Sequence, residues 1–163
     1  METADFRKTF PKLTHRLDKR DTDFLATLLR EREVPAGTAL IEDRVPADAL
    51  FLVVEGEFGV EVVRTDGAFE IGRIGHGKWI GEIPLFSDDH TSTSRIVAIT
   101  PSRVLELQHA QFWSAQTEHP DLVSALTREF VDHMSERVRA ADELITRCLK
   151  PGTSVHASPP SQA

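Results

Sequence analysis

Between Glu31 and Leu107 one texture repeats. Short apolar runs (TALIE, ALFLVVEG, FGVEVV, FEIGRIG, RIVAIT and RVLELQ) are cut by turn material such as PAG, EGE, TDG and GHGK. Many short strands at this spacing, each bounded by turn residues, form an antiparallel sandwich or barrel. The flanks carry a different period. Residues 1–30 read as helical, with Asp21 as N-cap and Phe24, Leu25, Leu28 and Leu29 as an apolar stripe. AQFWSAQTE is helix-forming, and His119-Pro120-Asp121 opens a longer helix, with proline in its first turn and an acid that suits the dipole. The expected fold is α+β: an antiparallel, jelly-roll-like β-roll with N-terminal helices and a long C-terminal helix. Its expected parts are residues 1–30, a β-roll at 31–107 holding a distinctive loop at 81–95, helices over 108–150 and a tail at 151–163.

The long helix is expected to reach about Lys150, on the order of 45 Å at about 1.5 Å per residue. Val123, Leu126, Phe130, Met134, Val138, Ala141, Ile145 and Cys148 follow one another at steps of three and four. Part of this stripe must cover the strands. Its length exceeds what covering needs, so a homodimer through the 120–149 helix is expected. The four-residue steps from Leu126 to Val138 depart from strict heptads and predict local unwinding there. Pro151-Gly152 would end the helix, and SVHASPPSQA is a polar, Pro/Ser-rich tail expected to carry no fold.

Composition removes several classes of function. The net charge of −7 disfavours broad nucleic-acid binding through phosphate neutralisation. Cys148 is the single cysteine, so no internal disulfide forms, which suits a reducing cytoplasm. METADFRKTF has no apolar signal core, and no stretch approaches the roughly 18 apolar residues of a membrane span.

Three further stretches carry more specific information: VPAGTALIEDRVPADALFLVVEGEFGV, then IGHGKWIGEIPLF, then IVAITPSRVLELQHAQFW with HPDLVSAL. Together they resemble the cyclic-nucleotide-binding domain, the sensor of the catabolite activator protein and of the regulatory subunit of protein kinase A. The resemblance covers roughly residues 10–149. Gly37, Gly56, Gly75 and Gly81 fall where that family places its turn glycines, and Gly81 is followed by Glu82. The resemblance implies a phosphate-binding cassette. In it, Gly81, Glu82 and Ile83 begin a short helix whose free N–H groups face a cyclic phosphate, and Glu82 accepts the ribose 2′-hydroxyl. An arginine about ten residues on closes such a site on the phosphate. The implied ligand is a cyclic nucleotide, cyclic AMP or cyclic GMP, or a related phosphorylated molecule.

That arginine is displaced here. Setting Ile96-Val97-Ala98 on the family's strand without gaps puts Ser92 in the arginine slot, followed by Thr93 and Ser94, with Arg95 three residues late. An odd shift to bring Arg95 back would turn every strand side chain to the opposite face. The cassette is therefore expected to be degenerate and nucleotide binding weak or altered. Losing a charged hydrogen bond of about 1.5–3 kcal/mol lowers affinity about ten- to a hundredfold or more. Arg44 stands where the family usually has glycine, so its turn must avoid positive φ or tolerate strain.

On the long helix, Arg137 and Val138 match the family's base-contacting positions, although an arginine on a helix is far more often a solvated face residue. The histidines His76, His90, His109, His119 and His133 lack metal-cluster spacing, against cupin-like chemistry. No nucleophile elbow is present. The expectation is a stand-alone, non-enzymatic regulatory sensor in the cytoplasm, with a protein partner for its output and no direct DNA or membrane contact. The alternative is a ligand-free dimerisation or interaction module that keeps the fold.

Overall fold

The computed structural model describes residues 3–148. The chain divides after Phe130 into two compact units. The first opens with three short helices, α1 (Thr3–Thr9), α2 (Pro11–His15) and α3 (Lys19–Leu28). The cap of α3 is Asp18, not Asp21: the Asp18 carboxylate accepts the Asp21 N–H at 2.7 Å. Asp21 lies in the first turn, and its carboxylate is turned inward to His119 Nδ1 at 2.6 Å. His119 in turn stacks on Phe24, ring centroids 3.8 Å apart. A buried carboxylate needs such a partner, which explains why Asp21 does not cap.

Eight strands follow: β1 (Arg30–Val34), β2 (Ala39–Ile41), β3 (Ala49–Glu55), β4 (Phe58–Arg64), β5 (Gly67–Ile74), β6 (Trp79–Ile80), β7 (Arg95–Ala98) and β8 (Ser102–Gln108). They form two antiparallel four-stranded sheets, ordered β1-β8-β3-β6 and β2-β7-β4-β5. Helix α4 (Glu82–Phe86) interrupts the strands between β6 and β7, and α5 (His109–Glu118) and α6 (Pro120–Cys148) come last. This is the expected β-roll with helices at both ends.

The unbroken apolar run of β3 has a simple cause. Leu50 and Leu52 join Leu105 and Leu107 of β8 in a core with the helical residues Phe6, Leu25, Phe112 and Phe130. Ala49, Phe51 and Val53 turn the other way, into a second core with Ile41, Phe58, Val60, Ile96 and Ala98 of the opposite sheet. A strand buried on both faces reads as continuous rather than alternating. Each fully buried Leu or Phe contributes roughly 1.5–3 kcal/mol. Strand β1, REREV, carries almost no apolar signal. It is held at the sheet edge by pairing with β8, reinforced by Arg103 to Glu31 at 2.8 Å and Arg32 to Glu106 at 3.5 Å.

Within the first unit the opening turns of α6 bury Leu122, Val123, Ala125, Leu126 and Phe130. In the second unit the chemistry is the same and the burial opposite: Val131, Val138 and Ile145 are 50%, 61% and 56% exposed. The single stripe expected from Val123 to Cys148 is thus two stripes. One is buried and ends at Phe130; the other, Val131, Met134, Val138, Ala141 and Ile145, starts one residue later on another face. The four-residue steps mark this change of face, and α6 is a single continuous helix from Pro120 to Cys148. The expectations for Lys150 and the 151–163 tail lie outside the described residues. Among the described residues no helix is long and apolar enough to cross a membrane.

Candidate functional site

The segment after β6 begins with a backbone constraint. Gly81 is left-handed, φ +95, and caps α4; a Cβ there would lie 2.5 Å from the Ala49 carbonyl oxygen. Only glycine meets both conditions without moving the chain. Glu82 opens α4 with its side chain buried, and Ile83 is half-buried. At the other end of the helix, Phe86 sets its ring edge-on to Phe112 and Trp113, at 6.2 and 5.9 Å, and lies 6.2 Å from Phe130. Helix α4 is therefore held by backbone contact in front and by aromatic contact behind.

One residue that the sequence did not single out for this site lies beside Gly81. His109 starts α5, and its N–H donates to the Asp48 carbonyl at 2.7 Å. Its ring is buried, and Nε2 has no hydrogen-bond partner. Burial pushes its pKa below the ordinary histidine value. The backbone of Gly81 and the Asp48 carboxylate oppose that shift, and nearby His90 adds to it. Nothing in LQHAQF marks this role; it comes from the fold.

Residues 88–95 are held by their own side chains. Asp89 accepts from Thr91 N–H at 3.1 Å and Thr91 Oγ1 at 2.7 Å, and the Thr91 hydroxyl is the main cause of a lowered Asp89 pKa. His90, at φ 54, donates from Nδ1 to the Pro84 carbonyl at 3.0 Å. Ser92 and Ser94 are buried and form a reciprocal turn: Ser92 Oγ donates to Ser94 O at 2.7 Å, and Ser94 N–H donates to Ser92 Oγ at 3.3 Å. Ser92 also pairs through its backbone with Val45 and Arg44, 3.1 and 3.0 Å. Arg44 adopts φ 55, so that turn takes the left-handed conformation despite its side chain. Thr93 is exposed.

Arg95 is committed elsewhere. Its Nε donates to Glu42 Oε2 at 3.0 Å and its Nη1 to Glu61 Oε2 at 3.1 Å. The register of β7 opposes Arg95 to Glu61 and Ile96 to Val60, and Ile96 and Ala98 point into the core. Successive strand residues face opposite ways, so Arg95 lies on the face away from that core. Arg137 belongs to the second unit and is half-buried on α6.

A cleft of about 680 Å³ lies elsewhere in the first unit, lined by Arg16, Asp18, Asp21, Asp121, Ser124, Ala125 and Arg128. Several of its charges already serve the fold: Asp18 caps α3, Asp21 holds His119, and Arg16 pairs with Glu129 at 3.4 Å. Among the described residues no three His, Cys, Asp or Glu side chains converge to hold a metal.

The architecture is thus a β-roll interrupted by a glycine-capped helix and followed by two helices. Residues 31–119, more than half of the chain, match the cyclic nucleotide-binding domain model, and the chain belongs to that family. Solved structures carry the same fold. A cyclic nucleotide-binding domain from Methylobacillus flagellatus is 18% identical with a TM-score of 0.80, covering 93% of this chain and 88% of that one. The c-di-GMP-responsive global regulator CLP of Xanthomonas campestris is 20% identical with a TM-score of 0.71, covering 82% and 66%. The regulatory subunit of a cAMP-independent protein kinase A from Trypanosoma brucei is 20% identical with a TM-score of 0.65, covering 78% of this chain and 46% of that chain.

Proposed function

We propose that this chain is a regulatory sensor module whose 81–95 cassette takes a cyclic nucleotide, or a related phosphorylated ligand, with a weakened grip on the phosphate. Gly81, Glu82 and Ile83 supply the front of the site, with Glu82 as ribose acceptor. Ser92, Thr93 and Ser94 stand where the family's cation stands and offer only neutral donors. The observation that carries this reading is Arg95, tied to Glu42 and Glu61 on the face away from the core, while Ser92 is closed into its own turn. Relatives in fold include a c-di-GMP-responsive regulator and a cAMP-independent kinase subunit, so a ligand other than cyclic AMP is compatible with this architecture.

The module acts in the cytoplasm without catalysis and, at a net charge of −7, without direct DNA contact. Its output passes to a protein partner or through self-assembly as a homodimer. Calorimetry of the protein, stripped of co-purified ligand, against cyclic AMP, cyclic GMP and cyclic dinucleotides is the test. Weak or altered binding is expected; tight cyclic AMP binding abolished by Arg95→Ala would overturn the reading. The second reading, a ligand-free dimerisation or interaction module, is favoured by the exposed Val131, Val138 and Ile145. It takes over if neither the natural protein nor Ser92→Arg binds any of these ligands.

A further inference from the structure

The far end of the cassette, residues 90–92, pairs antiparallel with residues 44–47. The Ala47 N–H donates to the His90 carbonyl at 3.0 Å, the Ser92 N–H to the Val45 carbonyl at 3.1 Å, and the Arg44 N–H to the Ser92 carbonyl at 3.0 Å. Ser92 thus opposes two residues, Arg44 and Val45, in the manner of a β-bulge whose first residue is left-handed. That first residue is Arg44, at φ 55. Glycine suits such a position, and a residue with a side chain stores strain there.

Among the described residues the other positive φ outside glycine belongs to His90, on the facing segment, where the Nδ1 bond to the Pro84 carbonyl holds it. Arg44 is held far more loosely. Its side chain is 86% exposed, and its ion pair to Asp43, at 3.8 Å, is longer than a hydrogen bond. The fold therefore keeps a strained backbone at residue 44 for a cation that it hardly uses. Residues opposed across two strands hold their Cβ atoms roughly 5 Å apart, and an extended arginine side chain exceeds that reach. Arg95, the other arginine of these segments, is tied to Glu42 and Glu61.

We infer that Arg44 supplies the cation of this cassette: its guanidinium swings across the bulge, over Ser92, and pairs with the phosphate of the bound ligand. The inference rests on the sensor reading above and moves the charge from residue 92 to residue 44.

Calorimetry of the full chain, stripped of co-purified ligand, against cyclic AMP, cyclic GMP and cyclic di-GMP tests it. Arg44→Gly and Arg44→Lys are compared in the natural and the Ser92→Arg backgrounds. Glycine takes the left-handed turn without strain, so Arg44→Gly is expected to melt no lower than the natural protein. It should nevertheless bind on the order of tenfold more weakly, with a flatter salt dependence. Arg44→Lys keeps the charge but not the two-pronged fork, and should retain part of the affinity. In Ser92→Arg the loss caused by Arg44→Gly should shrink, because two cations then share one phosphate.

Equal binding by the natural protein and Arg44→Gly overturns the role of Arg44 and leaves the cassette standing. So does a loss of the same size in both backgrounds, or binding by Ser92→Arg alone. Binding by neither the natural protein nor Ser92→Arg overturns the sensor reading and this inference together.

Discussion

At residues 81–86 the chain is pinned by what surrounds it, whereas at residues 88–95 it is pinned largely by itself. The first end depends on Gly81 passing close to Ala49 and on Phe86 reaching Phe112, Trp113 and Phe130. The second depends on short-range bonds among Asp89, Thr91, Ser92 and Ser94, on His90 to Pro84, and on backbone pairing to residues 44–47. The difference bears on what each end says about a ligand. Gly81 would be required here whether or not anything binds, because the fold itself leaves no room for a Cβ. Gly81 is therefore a better marker of the fold than of nucleotide binding. The other end is held by its side chains, so substitutions at Ser92 and Arg95 are the ones that probe the ligand.

Four expected outcomes sharpen or break this contrast. The largest is Gly81→Ala, which forces a non-glycine residue into a left-handed conformation and against Ala49. Such strain costs of order 1–3 kcal/mol, and the added overlap places this variant at about 3 kcal/mol. Urea unfolding measures it; a loss under about 1 kcal/mol would mean that α4 is not held by its surroundings. Next comes Ser92→Arg, expected to raise cyclic AMP affinity about ten- to a hundredfold, equivalent to about 1.5–3 kcal/mol. Glu82→Ala in that background should remove most of the gain, as calorimetry would show, because the ribose and phosphate grips act on one ligand.

The third outcome concerns pH. The His109 pKa is lowered in the fold, so its contribution to stability is present above the ordinary histidine value near 6.5 and is lost as pH falls below it. The melting temperature should fall on acidification from pH 7.5 to about 5.5, and His109→Gln should flatten that part of the profile. Asp89 and Glu31, also lowered, act in a more acidic window, since their ordinary values are 3.8 and 4.5. A profile unchanged by His109→Gln would show that the ring does not support the front of the cassette. The smallest effect belongs to Arg95→Ala: under about 1 kcal/mol of stability, since its pairs are partly exposed, and no change in nucleotide binding.

Much of this architecture is legible in the sequence because its strands obey a local rule. RIVA and RVLELQ alternate or run apolar according to how many faces they bury. The glycine before α4 stands out because a left-handed turn excludes other residues. REREV was illegible for the converse reason: an edge strand held by cross-strand charges has no apolar period to read. The capping of α3 was misread because Asp21 and Asp18 are both good caps in isolation, and only a distant histidine decides between them. On α6 the composition is uniform across the change of face, so spacing alone joined two stripes into one. His109 has no local signature at all, since its place beside Gly81 is made by the meeting of β3, α4 and α5.

The contact between Phe86 and Trp113 has an optical consequence. The chain has two tryptophans, Trp79 buried against Phe130 and Trp113 half-exposed against the ring that ends α4. Their emission should separate, with Trp79 blue-shifted and shielded from dissolved quenchers, and Trp113 redder and open to them. A displacement of α4 would alter the second signal and leave the first as an internal standard, so the unlabelled protein carries its own ratiometric gauge of cassette movement.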